Sequence, residues 1–203
     1  MAEPTSRRAE TRQRILAAAG RLFRAHGVDG VGVDAVMREA GLTHGGFYLH
    51  FPSKEALAAE VSQSLLQAAA GKWEEISQSA EAQAALTRIV QGYLDPERVA
   101  AGRCCVLTTL GPDVARRPDS RTAIGGALRS MLDTLMRCLP THRQDRAMAT
   151  LSTMVGAVVL ARLADDPAMS AAFLDSARVA ILPPVHPEAD VNDSGPEPRL
   201  DVA

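Results

Sequence analysis

The chain has 203 residues, a formal net charge of −2, 3% aromatic residues and three cysteines. That length bounds it to one sizeable core with a small extra module, and the scarcity of aromatic and β-branched runs beside plentiful Ala, Leu, Arg and Glu excludes a strand-built fold and predicts an all-α protein. With no CxxC pair, Cys104, Cys105 and Cys138 exclude a disulfide scaffold and suit a reducing cytoplasm.

Charge is unevenly placed. Residues 1–54 hold eight Lys/Arg against five Asp/Glu, whereas the remainder holds 14 against 19. A basic front on an acidic body suits a protein whose N-terminal end meets phosphate. Residues 1–10 read as a flexible basic arm carrying Arg7 and Arg8, without the apolar stretch of a signal peptide. From Thr11 a helix is expected, with Ile15, Ala18, Ala19, Leu22 and Phe23 on one face and Arg12, Arg14, Arg21 and Arg24 mostly on the other. His26-Gly27 is a stop signal.

After a loop at 28–32, Val33, Val36, Met37 and Ala40 mark a second helix of about two turns, ended by Gly41. Thr43 stands ready to N-cap a third short helix, HGGFYLHF, whose Phe47 and Phe51 both point at the first. Pro52 breaks the chain, and Ser53 caps a long helix from Lys54 to about Ala70. Further helical segments are expected at Trp73–Ser79, Ala82–Tyr93, Glu97–Leu110, 121–139, 144–163 and Ala171–Leu182. Residues 183–203 hold five prolines, five acids and one Arg, and are expected to be a disordered tail. The longest apolar uncharged run, Ala147 to Ala161, has 15 residues, too few for a membrane span. A cytoplasmic protein with no membrane partner is therefore expected.

Residues 33–40, 41–43 and 44–50 make a helix-turn-helix core, in which a short second helix braces a third that enters the major groove. Gly45 and Gly46 open that third helix at real cost to its stability. They require either a backbone that comes very close to a base edge or phosphate, or close packing inside the module.

The stretch TRQRILAAAGRLFRAHGVDGVGVDAVMREAGLTHGGFYLHFPSKEAL, residues 11–57, resembles the N-terminal domain of the TetR family. The matching pieces are TRxRIL, the LF before HG, the REAGLT turn, the GxxYxHF recognition helix and the PSKEAL start of the fourth helix. The resemblance implies a helix-turn-helix DNA-binding domain at 11–54 and a helical effector-binding and dimerisation domain at 55–182. It implies that Thr43 caps the recognition helix and reaches a phosphate, and that Tyr48 and His50 face the backbone. Lys54, with the amides of its helix, would hold another phosphate. His44 and Gly45 would approach base edges, and Leu49 a thymine methyl. Arg7, Arg8 and Arg12 are possible contacts of the arm. Two residues depart from the family pattern. Asp34 would repel phosphate, which takes helix two out of the contact set. His44 replaces a common Lys or Arg, so phosphate affinity would be lower and would rise as pH falls.

The resemblance further implies a homodimer on a palindromic double-stranded operator, formed through the helices near 121–139 and 144–163, where Gly125, Gly126, Gly156 and Ala157 allow close approach; the alternative is that both belong to the monomer core. It implies a small-molecule effector among the middle helices. The lining candidates are Leu65, Trp73, Tyr93, Cys105, Thr109 and Met131, each of which could equally be ordinary core. An effector that favours the DNA-incompetent arrangement would tilt the long helix after Ser53 and release a repressor. Cys104-Cys105 suggests an alternative, a thiol- or electrophile-sensing regulator, against the plainer reading of inert buried thiols. An enzyme is not expected: the five histidines are scattered, no HExxH, GxSxG, Walker or dinucleotide pattern occurs, and no metal or cofactor is implied. A DNA-packaging protein would carry high positive charge, and this chain does not.

Overall fold

A computed structural model of the chain describes residues 4–102 and 105–182, with side chains described from Arg7 onward and not at 118–120. All regular structure among these residues is helical. Helix α1 is Pro4–His26 and α2 is Val33–Glu39, followed by a 3₁₀ helix at His44–Leu49. The body comprises α3 (Lys54–Gln78), α4 (Ala82–Tyr93), α5 (Pro96–Ala100), α6 (Val106–Thr109), α7 (Gly111–Ala115), α8 (Pro118–Cys138), α9 (Gln144–Leu163) and α10 (Pro167–Ile181).

The turns follow from their residues. Gly27 and Gly41 adopt φ of +72° and +67°, the left-handed conformation that ends α1 and α2. Ser53 Oγ accepts the Ala56 N–H at 3.0 Å and starts α3. Asp95 and Asp166 cap α5 and α10 in the same way, each followed by proline in the first turn.

Several elements differ from those read in the sequence. α1 begins at Pro4, so Arg7 and Arg8 lie on a helix rather than on an unstructured arm. The third helix is 3₁₀, because six residues with two glycines sustain only tight bonds such as Gly46 N–H to Thr43 O at 3.2 Å. The expected helices at 54–70 and 73–79 are one, α3, since buried Ala70 and Trp73 hold the helix through exposed Gly71. The expected helix at 97–110 is divided: α5 ends near Gly102, at φ +66°, and α6 follows. Helix α7 runs through Gly111-Pro112 because proline sits in its first turn, where no N–H is needed. The tail at 183–203 lies outside the described residues.

One apolar core runs through the chain. At the N-terminal end Ile15, Phe23, Met37, Phe47, Phe51 and Leu57 are fully buried. In the body α3 lies along α8 as its main partner, burying Leu66, Met131 and Leu135. Thr134 Oγ1 donates to Glu74 Oε2 at 3.0 Å, and Arg137 pairs with the same carboxylate. The Thr134 bond, then Gln78 and Arg137, hold the Glu74 carboxyl below the usual carboxylate range.

Candidate nucleic-acid interface and internal cavity

The arginine face of α1 acts first as a clamp. Arg14 donates to the Ala40 carbonyl at 2.6 Å, closing the end of α2. Arg21 pairs with Glu39 at 2.9 Å. Arg8 donates to the Leu49 carbonyl at 2.7 Å. Arg12 forms a two-pronged pair with Glu60 of α3 and lies 4.6 Å from the centre of the Phe51 ring. Arg8 and Arg12 are thus engaged inside the protein rather than held on a loose arm. Together these bonds fix α2, the 3₁₀ helix and α3 against α1.

That frame presents residues 43–50 outward. Phe47 and Phe51 are buried with rings 5.9 Å apart. Tyr48 rests edge-on against Phe47 at 5.2 Å and is 64% exposed; Leu49 is 68% exposed. Two large side chains are thus held in water side by side on this turn. Thr43 stands at the N-cap position with extended backbone, but its hydroxyl makes no capping bond, contrary to the sequence expectation. A side chain built on Gly45 would meet nothing within 4 Å, and one on Gly46 only Met37 Cε at 3.7 Å. Internal packing therefore does not demand Gly45.

His44 Nδ1 meets the Asp34 carboxylate. The carboxylate that the sequence set aside as repelling phosphate is turned to the 3₁₀ helix, which it ties to α2 through His44. His50 caps the 3₁₀ helix, half-buried, with Nδ1 unpartnered. Burial, then the charges of Arg8 and Arg12, push its pKa below the usual histidine value, so at neutral pH it is an uncharged ring. Lys54 begins α3 beside the Ser53 cap.

In the body, Leu65, Trp73, Tyr93, Cys105 and Met131 line a cavity of about 590 Å³. Thr109 does not line it; its hydroxyl turns back to the Cys105 carbonyl at 3.4 Å. Cys104 lies outside the described residues, and Cys105 is half-buried at the start of α6. Sequence reasoning missed the charged rim of this cavity, which includes Arg24 of α1 and Arg98 of α5; no periodicity marks a rim drawn from separate helices.

It also missed a bridge from the body to the loop between α1 and α2. Asp113 Oδ2 accepts the Val28 N–H at 2.9 Å, and Arg117 pairs with Asp29 at 2.6 Å. Residues 85 positions apart in the chain give no local signal of such a contact.

Among the described residues no group of His, Cys, Asp and Glu could hold a metal ion. By length and composition α9 is apolar enough to cross a bilayer, which the 15-residue run in the sequence understated. Seven of its residues, Met154 and Val158 among them, are buried against the rest of the protein.

Comparison with known proteins agrees with this geometry. Residues 15–61 match the family described as bacterial regulatory proteins, tetR family. The HTH-type transcriptional regulator LmrA of Bacillus subtilis is 44% identical over 52 residues, covering 25% of this chain and 28% of LmrA, so the shared sequence spans about a quarter of that relative. A TetR family transcriptional regulator from Agrobacterium tumefaciens has the same fold, with a TM-score of 0.71 at 20% identity over 86% of this chain and 99% of that one. The regulator FadR from Bacillus subtilis, solved in complex with stearoyl-CoA, has a TM-score of 0.64 at 18% identity over 86% of this chain and 99% of its own. The N-terminal residues 15–61 thus match the tetR family of bacterial regulatory proteins in sequence, and most of the chain shares the fold of solved regulators of that family.

Proposed function

We propose that this protein is a sequence-specific, ligand-responsive transcriptional regulator that acts as a cytoplasmic dimer and, by default, represses. The observation that carries the reading is the outward surface of residues 43–54, where Tyr48 and Leu49 are exposed on a clamped frame beside a glycine that internal packing does not need. Thr43, His44, Gly45, Tyr48, Leu49, His50 and Lys54 are the proposed contacts. Lys54 and the first amides of α3 suit a phosphate, while His44 and Gly45 suit base edges. Residues up to about 54 form the reading head, and 55–182 the effector-binding and dimerisation body.

The apolar surface left in water lies on α9 and α10: Met148, Leu160 and Leu163 on the first, Met169 and Val179 on the second. A helix apolar on both sides is normally covered on both. The dimer is therefore read through α9, the segment near 144–163 expected from the sequence, together with α10 in place of the segment near 121–139, since the apolar stripe of that segment packs on α3 inside the monomer. Such a dimer sets two heads on half-sites about 34 Å apart. The cavity is the proposed effector site, and two bridges lead from the body to the head: α3 itself and the contact of Asp113 with the α1–α2 loop. An effector shifts the balance only by its differential affinity for the two arrangements.

Selection from a random duplex library with purified protein tests this. One enriched inverted repeat with half-sites about a helical turn apart is the expected result. No enrichment, before and after refolding to strip bound ligand, would overturn it.

A further inference from the structure

The cavity has a chemical polarity that narrows what it takes. Its deep part is apolar: Ile89, Val99 and Met131 are buried there. Trp73 and Tyr93 form one wall, with ring centres 5.9 Å apart at 67°, an arrangement that offers both a face and an edge to an apolar body. The charged lining is of nearly one sign, with Arg24, Lys72, Arg88 and Arg98 against the lone carboxylate of Asp95.

That carboxylate is already used. Asp95 Oδ1 accepts the N–H of Glu97 at 2.9 Å and of Arg98 at 3.3 Å as the cap of α5. Among the described residues Lys72 and Arg98 make no ion pair, and Arg88 reaches only Ser79 Oγ at 3.5 Å. Arg24 uses Nε on the Gly20 carbonyl and keeps its other nitrogens. Four cations around one opening repel each other unless an anion joins them. They also run against the body around them, where residues 55–203 carry 19 acids against 14 Lys/Arg. Random scatter of surface charge on an acidic body would not favour such a rim.

We propose that the cavity binds an organic anion: an apolar or aromatic body that lies against Trp73, Ile89 and Met131, carrying a carboxylate, sulfonate or phosphate held at the rim by Lys72, Arg98 and Arg24. The volume of about 590 Å³ lies within the range of small-molecule sites. Cationic ligands are rejected by the same rim, and neutral ones gain only the apolar contacts. Because Arg24 belongs to α1, the anion's charge touches the helix that clamps the reading head. This inference rests on reading the cavity as the effector site, and adds the class of effector.

Trp73 is the sole tryptophan of the chain and stands in the cavity wall, so its fluorescence reports occupancy. The test titrates the full chain with anilinonaphthalene sulfonate and, in parallel, with neutral phenylnaphthylamine, which has the same rings and no sulfonate. The anion is expected to quench Trp73 at concentrations about tenfold lower or less. The double variant Lys72→Gln/Arg98→Gln, both exposed positions, is expected to lose most of that preference, leave the neutral probe's affinity unchanged and melt at the wild-type temperature. Equal affinity for the two probes, an unaltered preference in the double variant, or no quenching by either would overturn the proposal. Adding the same probes to the complex with the selected duplex tests the effector reading separately. An anion that prefers the cavity yet leaves DNA bound contradicts that reading and not the anion site. A neutral probe that releases DNA at the same concentration as the anion supports the effector reading and contradicts the anion site.

Discussion

Gly45 lies on the proposed contact face, and a Cβ there meets nothing in the protein. Gly45→Ala should leave the thermal melt unchanged or slightly raised, because alanine favours helix. It should weaken operator binding about tenfold, or ~1.4 kcal/mol, by fluorescence anisotropy. His50 gives a pH signature. Its folded-state pKa lies below the usual value of 6.5 through burial and then Arg8 and Arg12, so as pH falls the unfolded chain takes up the proton first. Stability contributed above about 6.5 is lost below it. The melting temperature of wild type should therefore drop more between pH 7.5 and pH 5.5 than that of His50→Gln, and parallel curves would refute the assignment. At this scale the sequence was readable where a residue's role is local: Gly41 at its left-handed turn, Ser53 at its cap, Phe47 and Phe51 inward. It was not readable where partners are remote. Nothing in a helical pattern says that Asp34 turns to His44 or that Arg12 meets Glu60.

Element by element, helix type and order follow from periodicity and capping, while boundaries depend on packing that no local signal carries. α3 continues past Gly71 because Trp73 is buried beyond it, and the glycine-rich third helix tightens to 3₁₀. The reading head is held as a unit by Phe47. Phe47→Ala should cost roughly 3–5 kcal/mol and abolish DNA binding through unfolding of the head, visible as a lowered melting temperature. The bridge from α7 is subtler. Asp113 is nearly buried and accepts the Val28 N–H while pairing with Arg116 at 2.6 Å. Asp113→Ala should cost about 1–3 kcal/mol by leaving that N–H unpaired. It should also reduce the effect of cavity ligands on DNA affinity while leaving their binding to Trp73's cavity intact.

For the whole molecule, the proposed dimer joins two observations, the apolar surface on α9 and α10 and the exposed face of residues 43–50. Leu163 is 74% and Val179 80% exposed. Leu163→Glu/Val179→Glu should give a folded monomer by light scattering, with operator affinity lost because one head alone has half the contacts. The sequence reading put the interface on the segments near 121–139 and 144–163; the proposal keeps α9 and exchanges α8 for α10, because packing covers the apolar stripe of α8 with α3 and no helical pattern shows which stripe a neighbour covers. The most direct test of the reading head is titration of the selected duplex with wild type, Tyr48→Ala and Lys54→Ala across a range of salt. Affinity should fall steeply with salt for wild type. Lys54→Ala should weaken binding and lower the salt slope by about one per lost phosphate contact, and Tyr48→Ala should bind at least about tenfold less tightly. Unchanged affinity and slope in both variants would contradict a DNA contact at residues 43–54.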